Sequence, residues 1–199
     1  GAVRYTIDGG AGSDLIRGGL DDDEIYAGVG LRDVLHGDQG NDLLYGSHVG
    51  NDLITGGPGN DRLYGQAGDD TILGDEDHDF IDGGPGTDAL WGGIGDDELL
   101  GGGGAADQLH GEDGDDILRG SVDGPDQIYG GSGHDRLLGN GGNDRLEGGS
   151  GNDVIEGGSG DDVISGDSGS DLLLGGAAHD VLYGLNTAGT GADGAVGKG

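Results

Sequence analysis

An aspartate recurs along this chain every nine or ten residues, and the second residue after each one is Leu or Ile without exception. The series has nineteen members from Asp14 to Asp180, with the aliphatic partners running from Ile16, Ile25 and Leu35 to Ile164, Leu173 and Leu182. Read in nines, the chain gives GGAGSDLIR from Gly9, GGPGNDRLY from Gly56, GGSGNDVIE from Gly148 and GGSGDDVIS from Gly157. Each fits G-G-x-G-x-D-x-U-x, with U a large aliphatic residue. A unit this short cannot enclose a core of its own, so successive units must stack on one another. Two linked positions filled nineteen times exclude chance. A glycine-rich chain gives isolated G-x-G-x-x-G matches readily, so a dinucleotide-binding reading is discarded.

Composition says what such a stack lacks. Of 199 residues, 54 are Gly and 40 are Asp or Glu against 8 Lys plus Arg, a formal charge of −32, and only 31% are hydrophobic. Apolar burial alone does not offset the ordering entropy and self-repulsion of such a chain. The carboxylate excess argues against nucleic acid and anionic membrane surfaces, both of which recruit Lys and Arg. A cation is the natural partner. With no cysteine there are no disulfides and no thiolate metal sites, so the metal expected is a hard one. No stretch reaches the ~18 to 20 apolar residues of a membrane-spanning helix, and no basic, then apolar N-terminal run marks a signal peptide. Gly at position 1 and the absence of Met point to a processed product or an excised segment.

Over residues 9–183 the pattern resembles the repeats-in-toxin (RTX, haemolysin-type) calcium-binding family. The resemblance implies an all-β fold: a right-handed parallel β-roll with two repeats per turn, six-residue loops and x-U-x strands. Nineteen repeats then make about nine to ten turns. Calcium lies between successive loops on one edge, with the repeat aspartates as its ligands. The residues give their own reasons for each part. Glycines let the loops turn tightly and their carbonyls converge, and one inward aliphatic per strand gives a thin core. Calcium takes six to eight oxygens at forgiving geometry. Residues 1–8 read as an edge strand and weak cap, and 184–199 as a Gly-rich tail without strand rhythm.

Two repeats per turn sort the metal candidates into two columns. The first holds Asp14, Asp33, Asp52, Asp70, Asp88, Asp107, Asp126, Asp144, Asp162 and Asp180; the second holds Asp23, Asp42, Asp61, Asp79, Asp97, Asp116, Asp135, Asp153 and Asp171. One ion between neighbours in each column sets a ceiling of about 17 ions, enough to neutralise the chain. The spacing lengthens to ten before Asp33, Asp52, Asp107 and Asp126, all in the first column, where an extra loop residue either distorts a calcium site or forms a harmless bulge. Residues 33–63 and 107–137 share LHG, GS and D-R-L elements and two long loops each, the mark of a 74-residue tandem duplication. Asp21, Asp77 and Ala178 replace the fourth-position Gly and put the adjoining sites in question.

Catalytic signatures are missing. Asp69–Asp70, Asp96–Asp97 and Asp161–Asp162 each pair a repeat aspartate with a neighbour read as solvent-facing, which argues against a general acid/base pair. The six His have no zinc spacing, no nucleophile elbow or Walker motif occurs, and the EF-hand-like DEDHDFID carries Phe80 where that loop needs Gly. Tyr26, Tyr45 and Tyr64 should form a ladder on one outer face, with Trp91, Tyr129 and Tyr183 the large groups on the other. The leading reading is a non-enzymatic, calcium-binding structural roll of a secreted or cell-surface protein that folds on meeting extracellular calcium. Family resemblance implies type I secretion, although no typical C-terminal export signal follows Tyr183. The alternatives are a self-assembling subunit of an extracellular filament or surface layer stacked head to tail, and a region of a larger secreted enzyme or adhesin. Calcium and further copies of the chain, met end to end or through apolar outer faces, are the expected partners.

Overall fold

A computed structural model describes residues 4–104, 106–184 and the strand Gly194–Val196. The described residues form strands and loops with no helix. All pairing between strands is parallel, and the strands that follow the repeat aspartates alternate between two sheets, the connectivity of a solenoid with two strands per turn; a short pair, Pro85–Gly86 with Gly103–Gly104, forms a small third sheet. One sheet of ten strands starts at Leu15–Gly19 and ends at Val181–Tyr183; its strands follow the first aspartate column. A sheet of eleven starts at Thr6–Asp8 and Glu24–Tyr26 and ends at Leu172–Ala177 and Gly194–Val196; from its second strand to Leu172–Ala177, its strands follow the second column. The roll thus has about ten turns, as the repeat count implies.

Register keeps every aliphatic in line with the one a turn away: Leu44 pairs with Leu63, Leu63 with Ile81, Leu90 with Leu109 and Leu109 with Ile128. Because side chains alternate across a strand, the middle residue of each x-U-x points inward and its neighbours outward. From Ile25 to Leu173 these residues have no exposure, Ile16 keeps 7%, and Ile7 and Leu182 close the core half-buried at its ends. Ala27 joins the core at a first loop position otherwise held by Gly. The core is two aliphatic columns, one from each sheet, meeting in a single cluster.

Strand length changes along the chain. In the eleven-stranded sheet the strands stay at three residues up to Ile117–Arg119, while the loops that follow them include the four long ones. Beyond the last long loop they reach six: Arg136–Gly141, Val154–Ser159 and Leu172–Ala177. Arg62–Tyr64 and Phe80–Asp82 are equally short although six-residue loops follow them, so loop length alone does not set strand length.

The C-terminal segment departs from expectation. Gly194–Val196 pairs in register with Leu172–Leu174 and places Ala195 opposite Leu173, so a further strand follows the ten-residue stretch after Tyr183. The remainder of the expected tail lies outside the described residues.

The outer faces carry the expected stacks. Tyr26, Tyr45 and Tyr64 lie with ring centroids 5.0 and 4.9 Å apart, and Phe80 tilts onto Tyr64 at 5.7 Å. On the other face His110 sits between Trp91 and Tyr129, at 5.4 and 4.8 Å. Parallel register makes such stacking automatic, since equivalent positions one turn apart stand at the inter-strand spacing. Leu118→Ala, which empties a fully buried place in the column, is expected to cost about 2–5 kcal/mol. Leu20→Ala, at a position 75% exposed, should shift stability by less than about 0.5 kcal/mol. Denaturant unfolding of the two variants checks the contrast.

Candidate metal centre

Each repeat aspartate sits where a loop hands over to a strand, and those from Asp23 to Asp171 are at most 4% exposed. Burying so many carboxylates requires partners. Half of the requirement is met by the next turn. The main-chain N–H of each aspartate donates to Oδ1 of the aspartate one turn further on, from Asp14 to Asp33 at 2.8 Å through Asp162 to Asp180 at 3.2 Å. A second series runs from Asp23 to Asp42 at 2.6 Å through Asp153 to Asp171 at 3.0 Å, with Tyr5 N–H donating to Asp23 at its head. The two columns drawn from spacing alone are therefore two continuous hydrogen-bonded ladders.

The other half of each carboxylate behaves differently. Oδ2 is buried without a hydrogen-bond partner in Asp14, Asp23, Asp33, Asp42, Asp61, Asp70, Asp79, Asp88, Asp97, Asp107, Asp116, Asp135, Asp144, Asp153, Asp162 and Asp180. In every one of these loops but that of Asp33, which opens on Ala27, the first-position glycine makes room for it. A Cβ on Gly65 would lie 2.5 Å from both Asp70 Oδ2 and the carbonyl oxygen of Gly83, one turn on. On Gly18 it would lie 2.7 Å from Asp23 Oδ2 and 2.6 Å from the Gly37 carbonyl oxygen. Glycine thus holds open a notch walled by a carboxylate oxygen and a carbonyl oxygen of the next turn. Among the described residues no three His, Cys, Asp or Glu side chains converge. The donor set is accordingly one carboxylate with main-chain carbonyls, all hard oxygens, which fits calcium and not a transition metal.

Electrostatics agree with that chemistry. Burial pushes the Asp79 carboxyl up to about 8 and those of Asp61, Asp70, Asp88, Asp116 and Asp144 to about 7, against the partial relief of the ladder N–H. Asp97, Asp107, Asp135 and Asp153 rise to about 6 for the same first cause. Each carries a desolvated negative charge that a cation would relieve.

Asp52 and Asp126 are set apart. Ser47 donates to Asp52 Oδ2 from its main-chain N at 2.6 Å and from Oγ at 3.0 Å. Ser121 does the same to Asp126 at 2.6 and 3.1 Å. Burial still raises Asp126, and both Ser121 bonds work against the rise. These are two of the four long loops and lie 74 residues apart. The long loops before Asp33 and Asp107 leave Oδ2 unpartnered, so the extra residue has two structural outcomes where the sequence offered one alternative for all four.

A further ladder was not legible as such. On the regular edge the fifth loop residue accepts from the main-chain N–H of its successor one turn on: Asp22 from Asn41, Asn41 from Asn60, Asn60 from His78, His78 Nδ1 from Asp96, and onward through Asp115, His134 and Asn152 to Ser170. On the other edge it runs through Asn51, Asp69 and Thr87, and again through Asn143, Asp161 and His179. The fifth positions between these stretches include Ala106 and Pro125, which offer no side-chain acceptor. Asp69, Asp96 and Asp161, expected to face only solvent, thus each accept a main-chain bond. Short acceptor side chains recurring at one loop position were the available signal. Of the fourth-position substitutions, Asp77 and Ala178 take the left-handed backbone conformation at φ 77 and 90°, which strains a side chain where glycine is at ease.

A parallel solenoid with glycine loops and rows of buried carboxylates beside main-chain carbonyls defines a calcium-binding β-roll. The chain belongs to the RTX calcium-binding nonapeptide repeat family, whose model matches residues 6–31, 28–47, 49–81, 73–106, 100–123, 110–146, 121–155 and 156–186. No curated protein matches the chain.

Two predictions follow from the site. Asp153→Ala removes a carboxylate from the regular edge and should lower calcium stoichiometry, whereas exposed Glu156→Ala should leave it unchanged; isothermal titration counts the ions. The second concerns acid. Raised pKa values mean that the folded, metal-free roll holds more protons than the unfolded chain between about 4 and 8, so its stability falls as pH rises through that window. A metal-stripped chain should gain β-sheet circular dichroism on acidification from about pH 8 to about pH 4, the reverse of ordinary acid unfolding.

Proposed function

We propose that this chain is a structural module, without catalytic activity, whose folding is driven by calcium outside the cell. The observation that carries the reading is the row of buried Oδ2 atoms, each without a partner and, Asp33 apart, each beside a glycine notch. An unpaired buried carboxylate is among the costliest groups a fold can hold, and here it recurs at almost every half turn of a chain carrying −32. Bound calcium supplies the positive charge, and with a core of two aliphatic columns its binding free energy becomes folding free energy. In low calcium the chain is then an extended polyanion. Millimolar calcium closes the roll.

Secretion rests on the family, whose members are typically exported, and fits a chain that stays unfolded until it reaches calcium. The nineteen repeat aspartates are the ligand candidates, with second-column members such as Asp61, Asp116 and Asp153 on the edge free of long loops. The fifth-position acids accept main-chain N–H groups along the ladders, a structural use that supports a non-enzymatic role.

Circular dichroism tests the reading. At neutral pH with excess chelator the chain should show a coil spectrum, with the β-signal returning on calcium and not on equimolar magnesium. A chelated chain that keeps its full β-signal at neutral pH would sink the proposal.

A further inference from the structure

We propose that Ser47 and Ser121 take the place of the cation at Asp52 and Asp126, so that these two loops close without calcium and bind none. The inference rests on the calcium reading above and separates two repeat aspartates from the rest.

Both carboxylate oxygens of Asp52 and Asp126 are already satisfied. Oδ1 accepts the ladder N–H, from Asp33 and from Asp107, each at 2.7 Å. Oδ2, left bare in Asp33, Asp70, Asp107 and Asp144, here accepts a main-chain N–H at 2.6 Å and a hydroxyl at 3.0 or 3.1 Å. Hydrogen bonds to an ionised acceptor are roughly twice as strong as neutral ones. Ser47 and Ser121 are fully buried, with no water to fall back on. A cation binding at Oδ2 would have to displace both donors and strand a buried N–H group.

Loop length does not explain the difference. AGVGLRD before Asp33 and GGGGAAD before Asp107 are as long as GSHVGND and GSVDGPD. In the first two the opening four residues fit the nonapeptide frame, Ala27 apart, and the extra residue comes later. In the other two the extra residue lies earlier, between the first glycine and Gly50 or Gly124, and each of these stretches opens with the serine. Placed directly after the first glycine, the serine stands beside the notch, which Asp52 Oδ2 and Asp126 Oδ2 border here as the other carboxylates do in their own loops. Both devices lie in the first column, 74 residues and four turns apart.

Calcium counting by native mass spectrometry in saturating calcium decides the matter on four chains: the parent, Asp126→Asn, Asp144→Asn and a deletion of Ser121. Asp126→Asn should keep the parent's count, Asp144→Asn should lose at least one ion, and the deletion, which restores a six-residue loop, should gain one. If the deletion does not fold, the near-isosteric Asp126→Asn still decides. A count that falls in Asp126→Asn, or stays unchanged in a folded deletion variant, overturns the assignment while the calcium reading stands. A parent chain that binds no calcium overturns both.

Discussion

Stacked like charges are the constraint on which this structure depends. Two strands per turn and parallel register place each repeat aspartate about 4.8 Å, one strand spacing, from its counterpart, and the −32 charge leaves few basic residues to offset it. Five ion pairs occur among the described residues, none of them with a repeat aspartate. The roll answers by splitting each carboxylate into two tasks: Oδ1 ties its turn to the one before through a main-chain N–H, and Oδ2 is held in an oxygen-lined notch. The first-position glycine of every loop but the one opened by Ala27 follows from this, because a Cβ there would enter the space the carboxylate needs. So does the fourth-position glycine in most loops: a Cβ on Gly59 or Gly133 would collide with the carbonyl oxygen of the preceding turn.

The side-chain ladders pull in opposite senses. In the aspartate ladder a turn donates to the side chain of the following turn, whereas in the fifth-position ladder the following turn donates to the side chain of the one before. Each pair of neighbouring turns on the regular edge is therefore clamped from both directions. The other edge has this clamp only in stretches. It also carries all four long loops, and its fifth-position ladder has no acceptor at Ala106 and Pro125, in front of two of the aspartates that end them.

Much of this was legible in the sequence because the repeat fixes it. The period assigned every aspartate to its column and every Leu or Ile to the core, since a single register satisfies both positions at once. What the period does not encode was missed. The extra residue before Asp52 and Asp126 was visible, but its role depends on where in the loop it sits and on a main-chain N–H that has no letter. The place of His110 in a stack was missed, because it comes from Trp91 and Tyr129 a turn away on either side. The last strand was hidden by its own residues: Asp193-Gly194-Ala195-Val196 has the D-x-U-x order, yet Ala stands in place of Leu or Ile and the gap from Asp180 is too long for the rhythm.

The geometry also dictates how the roll must assemble. Each notch draws its carboxylate from one turn and its carbonyl from the next, so no single turn contains a finished site. A cation can be held only where two consecutive turns are already in place, and once held it fixes both. Stability then resides in the junctions between turns, as in other solenoids whose repeats contact only their neighbours. Each aliphatic column obeys the same rule, since Leu63 meets Leu44 and Ile81 and nothing more distant along that sheet. Two contributions of the same nearest-neighbour form, one apolar and one ionic, thus act at every junction, and they differ in kind: the apolar one is fixed by the register of the sheets, while the ionic one depends on what lies beside the buried carboxylates. On the calcium reading proposed above, a cation held at a junction would turn the ionic contribution from opposing the fold to supporting it.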